Sequence, residues 1–99
     1  MNNCPVFIDT GAFYALIDRD DAHHVVAYKQ WSELLKENHL LCITNYIISE
    51  TYTLLRYRLG WSIACKFLKI IEESSELGRI RIMMVAKETE KYARKILLE

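Results

Sequence analysis

Proline occurs once and glycine three times in 99 residues, which excludes a disordered tail, a collagen-like repeat and a low-complexity linker. No apolar run approaches the roughly 18 residues that a membrane span requires. Residues 1–5 contain no basic region leading into an apolar stretch, so no export signal is read there. A soluble, cytoplasmic chain without a membrane role is expected. Net charge is also absent, because 13 Lys+Arg balance 13 Asp+Glu. No whole-chain field is available to hold nucleic acid or an anionic membrane, and any such role must rest on a local patch. Cysteine is sparse and odd in number. Cys4, Cys42 and Cys65 are far apart and form no C-x-x-C pair, as expected of reduced thiols rather than a disulfide frame. His39 and Cys42 offer too few ligands for a zinc site.

What remains is a composition of 52% hydrophobic and 26% charged residues, that of a packed domain. At this length a single domain over residues 1–99 with a single core is expected. Val6-Phe7-Ile8 reads as a short buried strand, within about 4–8, running into Asp9-Thr10-Gly11 and a brief helix over about 12–17. Arg19, Asp20 and Asp21 supply a loop and an N-cap. Val25, Tyr28, Trp31, Leu34 and Leu35 then recur at helical spacing until Asn38. A second strand is predicted over 40–43. Thr44-Asn45 caps the next helix, which carries Ile47, Ile48, Leu54, Leu55 and Leu59 and ends at Gly60. A helix follows from Trp61 to about Ser75, broken by Ser74-Ser75 and Gly78, then a strand over 80–85 and a last helix from about Lys87. Strands separated by helical crossovers imply an α/β fold, a mainly parallel sheet with helices on both faces.

In open α/β sheets, ligands gather at the carboxyl ends of strands, and Asp9 stands where the first strand ends. Asp is also a leading N-cap residue, so the same carboxylate serves equally as the cap of the helix that follows. Glu50 has Tyr46, Ile47, Thr53 and Leu54 as its helical neighbours, a largely apolar flank. Its charge either gains a compensating cation or extends past Ile47 to water. If the second strand neighbours the first in parallel, Asp9 and Glu50 start from the same sheet edge. Two carboxylates there suit Mg²⁺ or Mn²⁺, which prefer oxygen ligands and keep waters that a phosphate can displace. Residues 1–50 hold seven acids and three bases, whereas 51–71 hold Arg56, Arg58, Lys66 and Lys69 and no acid. Interleaved with Tyr52, Tyr57 and Trp61, these cations form either a solvated helix face or a grip for a single-stranded RNA backbone and its bases. Asp18, Asp20 and Asp21 are accounted for as loop and cap residues, and His23-His24 as helix-end chemistry.

The string Val6-Phe7-Ile8-Asp9-Thr10-Gly11-Ala12-Phe13-Tyr14-Ala15-Leu16-Ile17, with Asp21-Ala22-His23-His24 after it, resembles the start of a PIN domain. Thr44-Asn45-Tyr46-Ile47-Ile48-Ser49-Glu50-Thr51-Tyr52-Thr53-Leu54-Leu55 is similar to that family's second motif. The resemblance implies a three-layer sandwich around a mainly parallel sheet and a metal-dependent ribonuclease, in the manner of the VapC-type toxins of toxin–antitoxin pairs. It makes Asp9 and Glu50 the first catalytic and metal-binding acids, with Mg²⁺ or Mn²⁺ as cofactor. Thr10, Asn45 and Arg56 are the candidate substrate contacts. Single-stranded RNA and an antitoxin-like protein are the implied partners. The family places two further acids, and its last one or two strands, beyond the helix that here reaches Glu99, and Glu88, Glu90 and Glu99 do not match that later motif. The expectation is therefore a C-terminally incomplete PIN-like domain of weak activity, with a degenerate relic or a non-catalytic interaction module as the alternative. The missing strands would leave Val6-Phe7-Ile8 as an open edge and favour a homo-oligomer.

Overall fold

The structure, a computed structural model, describes residues 5–86. In chain order these form β1 (Val6–Phe7), α1 (Thr10–Ile17), α2 (His24–Lys36), β2 (Leu41–Thr44), α3 (Asn45–Leu59), α4 (Trp61–Glu76) and β3 (Ile80–Met83). The strands make one parallel sheet in the order β1-β2-β3, with Val6 opposite Leu41 and Leu41 opposite Ile80. The α/β class and the parallel sheet agree with expectation. The helix expected from Lys87 lies outside the described residues, as do Cys4, Glu88, Glu90 and Glu99.

β2 is central. Leu41, Cys42 and Ile43 are all buried, although successive strand residues face opposite sides of a sheet, so β2 is covered on both faces. One of these faces joins the main core, where Leu41, Ile43 and Ile80 of the sheet meet Phe13 and Tyr14 of α1, Leu55 of α3, and Ala64, Phe67 and Ile71 of α4. Phe13 ties three helices together. Its ring lies 5.5 Å from Phe67 nearly edge-on and 6.3 Å from the tilted ring of Trp31, within the range of favourable aromatic pairs.

Side-chain caps start two of the helices. Asp9, in extended conformation, accepts from the Ala12 N–H at 2.8 Å and begins α1, and Thr44 accepts from the Ile47 N–H at 3.1 Å and begins α3. α3 ends at Gly60, whose φ of 98° is one that L side chains rarely adopt, and α4 starts from that same residue. Asn38, at φ 55°, turns the chain after α2 as its composition suggests.

Several boundaries differ from the sequence reading. β1 is shorter than 4–8, because Asp9 is already committed to the helix cap. β2 and β3 occupy 41–44 and 80–83. Asp21 does not cap α2: its Oδ1 accepts from the His23 N–H, an Asx turn that delays the helix, and the N-cap falls to His23 with no side-chain bond. Ser74 and Ser75 sit inside α4, which Gly78 stops two residues after Glu76 at φ 75°. The apolar stripe of α2 is only partly used. Trp31 and Leu34 pack on the core, whereas Val25, Tyr28 and Leu35 are exposed.

One buried polar atom stands out. The Thr51 side chain is fully buried, and its Oγ1 has no hydrogen-bond partner among the described residues, whereas the exposed Thr53 hydroxyl donates back to the Ser49 carbonyl. Thr51→Val replaces an unpaired hydroxyl by a methyl of the same shape, at nearly equal helix propensity. It is expected to hold or raise stability by about 1 kcal/mol. Leu55→Ala, emptying the adjacent core turn, is expected to cost about 2–5 kcal/mol. Urea unfolding of both variants checks this, and a loss of more than about 1 kcal/mol for Thr51→Val would contradict it.

Candidate active site

A parallel sheet brings the carboxyl ends of its strands to one edge, and at that edge each strand that leads into a capped helix supplies the residues of its turn. β1 delivers Asp9 and Thr10, and β2 delivers Thr44 and Asn45. α1 packs on α3, and the contact is specific: the Thr10 hydroxyl donates to Glu50 Oε2 at 3.4 Å. The residue next to Asp9 therefore touches Glu50, 40 positions away in sequence. Two shallow clefts open here. One is lined by Thr10, Ser49, Glu50, Thr53, Leu54 and Tyr57. The other holds Asp9 with Asp21 and His23, and shares Leu54 with the first.

Asp9 is both the cap and an exposed carboxylate, since only Oδ1 is bonded to the Ala12 N–H. Glu50 is exposed. The side chain is therefore not buried along the apolar flank that its helical neighbours suggested. The physical reason is helix geometry: Thr51 and Leu55, one turn apart, face the core, and Glu50 falls off that stripe. Asn45 is placed differently from Thr10. Its amide donates to the Val85 carbonyl at 3.3 Å and accepts from the Val85 N–H at 2.8 Å, which fastens the chain after β3 to the start of α3. Arg56 is exposed in the last turn of α3, where its charge complements the helix dipole. Ser49 and Thr53 line the Glu50 cleft without having been singled out in the sequence, although Thr53 follows Glu50 at i+3. The donors at this edge are all oxygens: the Asp9 and Glu50 carboxylates, which line neighbouring clefts, and the Thr10 hydroxyl that touches Glu50. That chemistry fits a hard divalent cation that retains waters. Among the described residues no group of three or more His, Cys, Asp or Glu side chains converges.

Beside the site, the far end of α1 carries a second network. The Tyr14 hydroxyl donates to Asp18 Oδ2 at 2.6 Å, and Asp18 Oδ1 accepts from the Asp20 N–H at 2.9 Å. The Tyr14 hydrogen bond, more than the Asp20 one, holds the Asp18 carboxyl below its ordinary 3.8. The same bond, with burial second, raises the Tyr14 hydroxyl above 10.0. The Arg58 guanidinium lies 5.4 Å above the Tyr14 ring centroid and couples the end of α3 to this network. His24 Nδ1 lies 2.8 Å from the Ala15 carbonyl near the end of α1, so the residue that opens α2 contacts the helix before it rather than capping its own.

Comparison with known proteins adds three findings. A sequence model of the PIN domain matches residues 6–99. The crystal structure of VapC20 from Mycobacterium tuberculosis, described as a Sarcin-Ricin loop cleaving toxin, is similar in fold, with a TM-score of 0.73 and 25% identity. The match covers 95% of this chain and 67% of that one. No curated protein matches the chain. No helix among the described residues is long and apolar enough to cross a membrane.

The Tyr14–Asp18 bond predicts a pH-dependent difference. Asp18 has a lowered carboxyl pKa in the folded state, so its stabilisation is present above 3.8 and is lost as pH falls through the lower folded value. Tyr14→Phe is expected to be less stable than wild type at neutral pH, with the gap closing in that acid range. Urea unfolding along a pH series measures it; a gap that stays constant as Asp18 protonates would contradict the assignment.

Proposed function

The chain belongs to the PIN domain family, and on that premise we propose that it is a metal-dependent ribonuclease acting on single-stranded RNA, related to the toxin half of a toxin–antitoxin pair. The observation that carries this reading is the Thr10–Glu50 hydrogen bond, which brings the capped turn of Asp9 against α3. Asp9, through its Oδ2, and Glu50 are the residues that would hold Mg²⁺ or Mn²⁺. When bound, such an ion stabilises charge on the phosphate and makes water a stronger nucleophile. The chain's own contribution is positional. The Ala12 N–H fixes the Asp9 carboxylate, and the Thr10 hydroxyl orients the Glu50 carboxylate. Arg56, on the acid-free stretch 51–71, attracts the RNA backbone, and Thr10 lies where a phosphate at Glu50 would meet its hydroxyl. With Asp9 and Glu50 as the acids of the site among the described residues, cleavage is expected to be slow, because fewer ligands align the reacting groups less well.

A second reading, a protein-interaction module, is favoured by one observation. β1 is an edge strand among the described residues, Phe7 is 64% exposed, and Val6, Phe7, Ala12, Phe13, Leu16 and Trp31 line an apolar groove beside it. An antitoxin-like chain or a second copy would cover this edge. The particle mass from light scattering at micromolar concentration, with and without Phe7→Lys, separates self-association from a bare monomer.

Cleavage of a labelled single-stranded RNA should require Mg²⁺ or Mn²⁺, stop on adding EDTA, and fall at least about a hundredfold in Asp9→Asn and in Glu50→Gln. Asp9→Asn keeps an N-capping side chain, so its fold is retained. Cleavage that persists in EDTA, or at wild-type rate in both variants, would contradict the reading.

A further inference from the structure

Two turns beyond Glu50, α3 carries a side chain that the core does not need. Tyr57 is 88% exposed, whereas Tyr14 is buried and Tyr52 packs half-buried against the core. It lines the same cleft as Thr10, Glu50 and Leu54. Seven residues separate Glu50 from Tyr57, which places them on one side of the helix about 10 Å apart along its axis. A strand with a phosphate at Glu50 spans that distance in at most about three nucleotides, given about 3.4 Å of rise per stacked nucleotide.

The surroundings favour nucleic acid as the occupant. Arg56 precedes Tyr57 and is exposed in the same turn, and α3 carries no acid after Glu50, so the backbone of a strand leaving the carboxylate site runs along helix surface without opposing charge; Arg58 lies instead over the Tyr14 ring. Leu54 gives the cleft an apolar wall beside the ring, suited to the face of a base. A peptide adding to a sheet would instead use a strand edge, and α3 offers none. We infer that Tyr57 is the base-stacking residue of this site, holding a base within about three nucleotides of the scissile phosphate. The inference rests on the ribonuclease reading and adds to it a determinant of where the strand lies.

Stacking on an aromatic side chain is sequence-tolerant and depends on the ring rather than the hydroxyl. Short labelled single-stranded RNA, at low ionic strength and in EDTA so that intact strand is read, is titrated with wild type, Tyr57→Ala and Tyr57→Phe and followed by fluorescence anisotropy. Tyr57→Ala is expected to weaken binding at least about fivefold, and Tyr57→Phe to stay near wild type. Because the ring is exposed, thermal melting of the alanine variant should match wild type. A scan of strands with one abasic position should show a single position that weakens wild type and leaves Tyr57→Ala indifferent. Wild-type affinity in Tyr57→Ala overturns the stacking role while the ribonuclease reading stands. A wild-type chain that binds no RNA, either in EDTA or with Ca²⁺ in its place, overturns both. Unchanged RNA affinity with altered particle mass in Tyr57→Ala assigns the ring to a protein contact and likewise overturns the inference.

Discussion

Two side-chain caps at one edge of a parallel sheet organise this molecule. Asp9 closes the turn from β1 into α1, and Thr44 closes the turn from β2 into α3. Each cap satisfies an orphan N–H at a helix start, which costs about 1 kcal/mol when lost. Their larger consequence is geometric. Because β1 and β2 run in parallel, both turns fall at the same end, and both helices leave from neighbouring points. Thr10 and Glu50 then meet without either belonging to the core.

Helix geometry separates structure from chemistry within each of these elements. On α3, Thr51 and Leu55 are buried, while Glu50, Thr53 and Tyr57 line or border an open cleft. On α1, Phe13 anchors the aromatic contacts to Trp31 and Phe67, and the next residue, Tyr14, turns its hydroxyl to Asp18 and its face to Arg58. The exposed groups are therefore held by rigid elements whose inward faces are already packed, the arrangement by which a scaffold positions reactive side chains.

Much of the fold was legible because breakers and caps lie where the periodicity changes. Gly60, Asn38 and the Thr44-Asn45 pair mark ends that the backbone obeys. The parallel sheet followed from strand-length apolar runs separated by helical ones, and among the described residues β1 stands at its edge. Three local readings failed for physical reasons. Asp21 was drawn into an Asx turn rather than a cap, Ser74 and Ser75 were carried inside a helix whose apolar face packs on the core, and Val25 and Tyr28 of α2 stay exposed because the helix meets the core only near Trp31 and Leu34. At the site, spacing brought out Asp9 and Glu50. It left Glu50 between burial and solvent, since neighbours at i±3 and i±4 describe a flank and not the direction of the core. The Tyr14–Asp18 bond joins α1 to its C-cap four residues on, a spacing that was visible but competed with the simpler account of Asp18 as a loop residue.

The central claim is that the Asp9 turn and Glu50 form one cation site. Mn²⁺ broadens the NMR signals of nuclei near it, so a titration of isotopically labelled protein locates the ion directly. The account predicts broadening centred on the amides of Thr10, Gly11, Glu50 and Thr51, largely lost in Asp9→Asn. Broadening centred on the Asp18–Asp21 loop, or unchanged in Asp9→Asn, would contradict it.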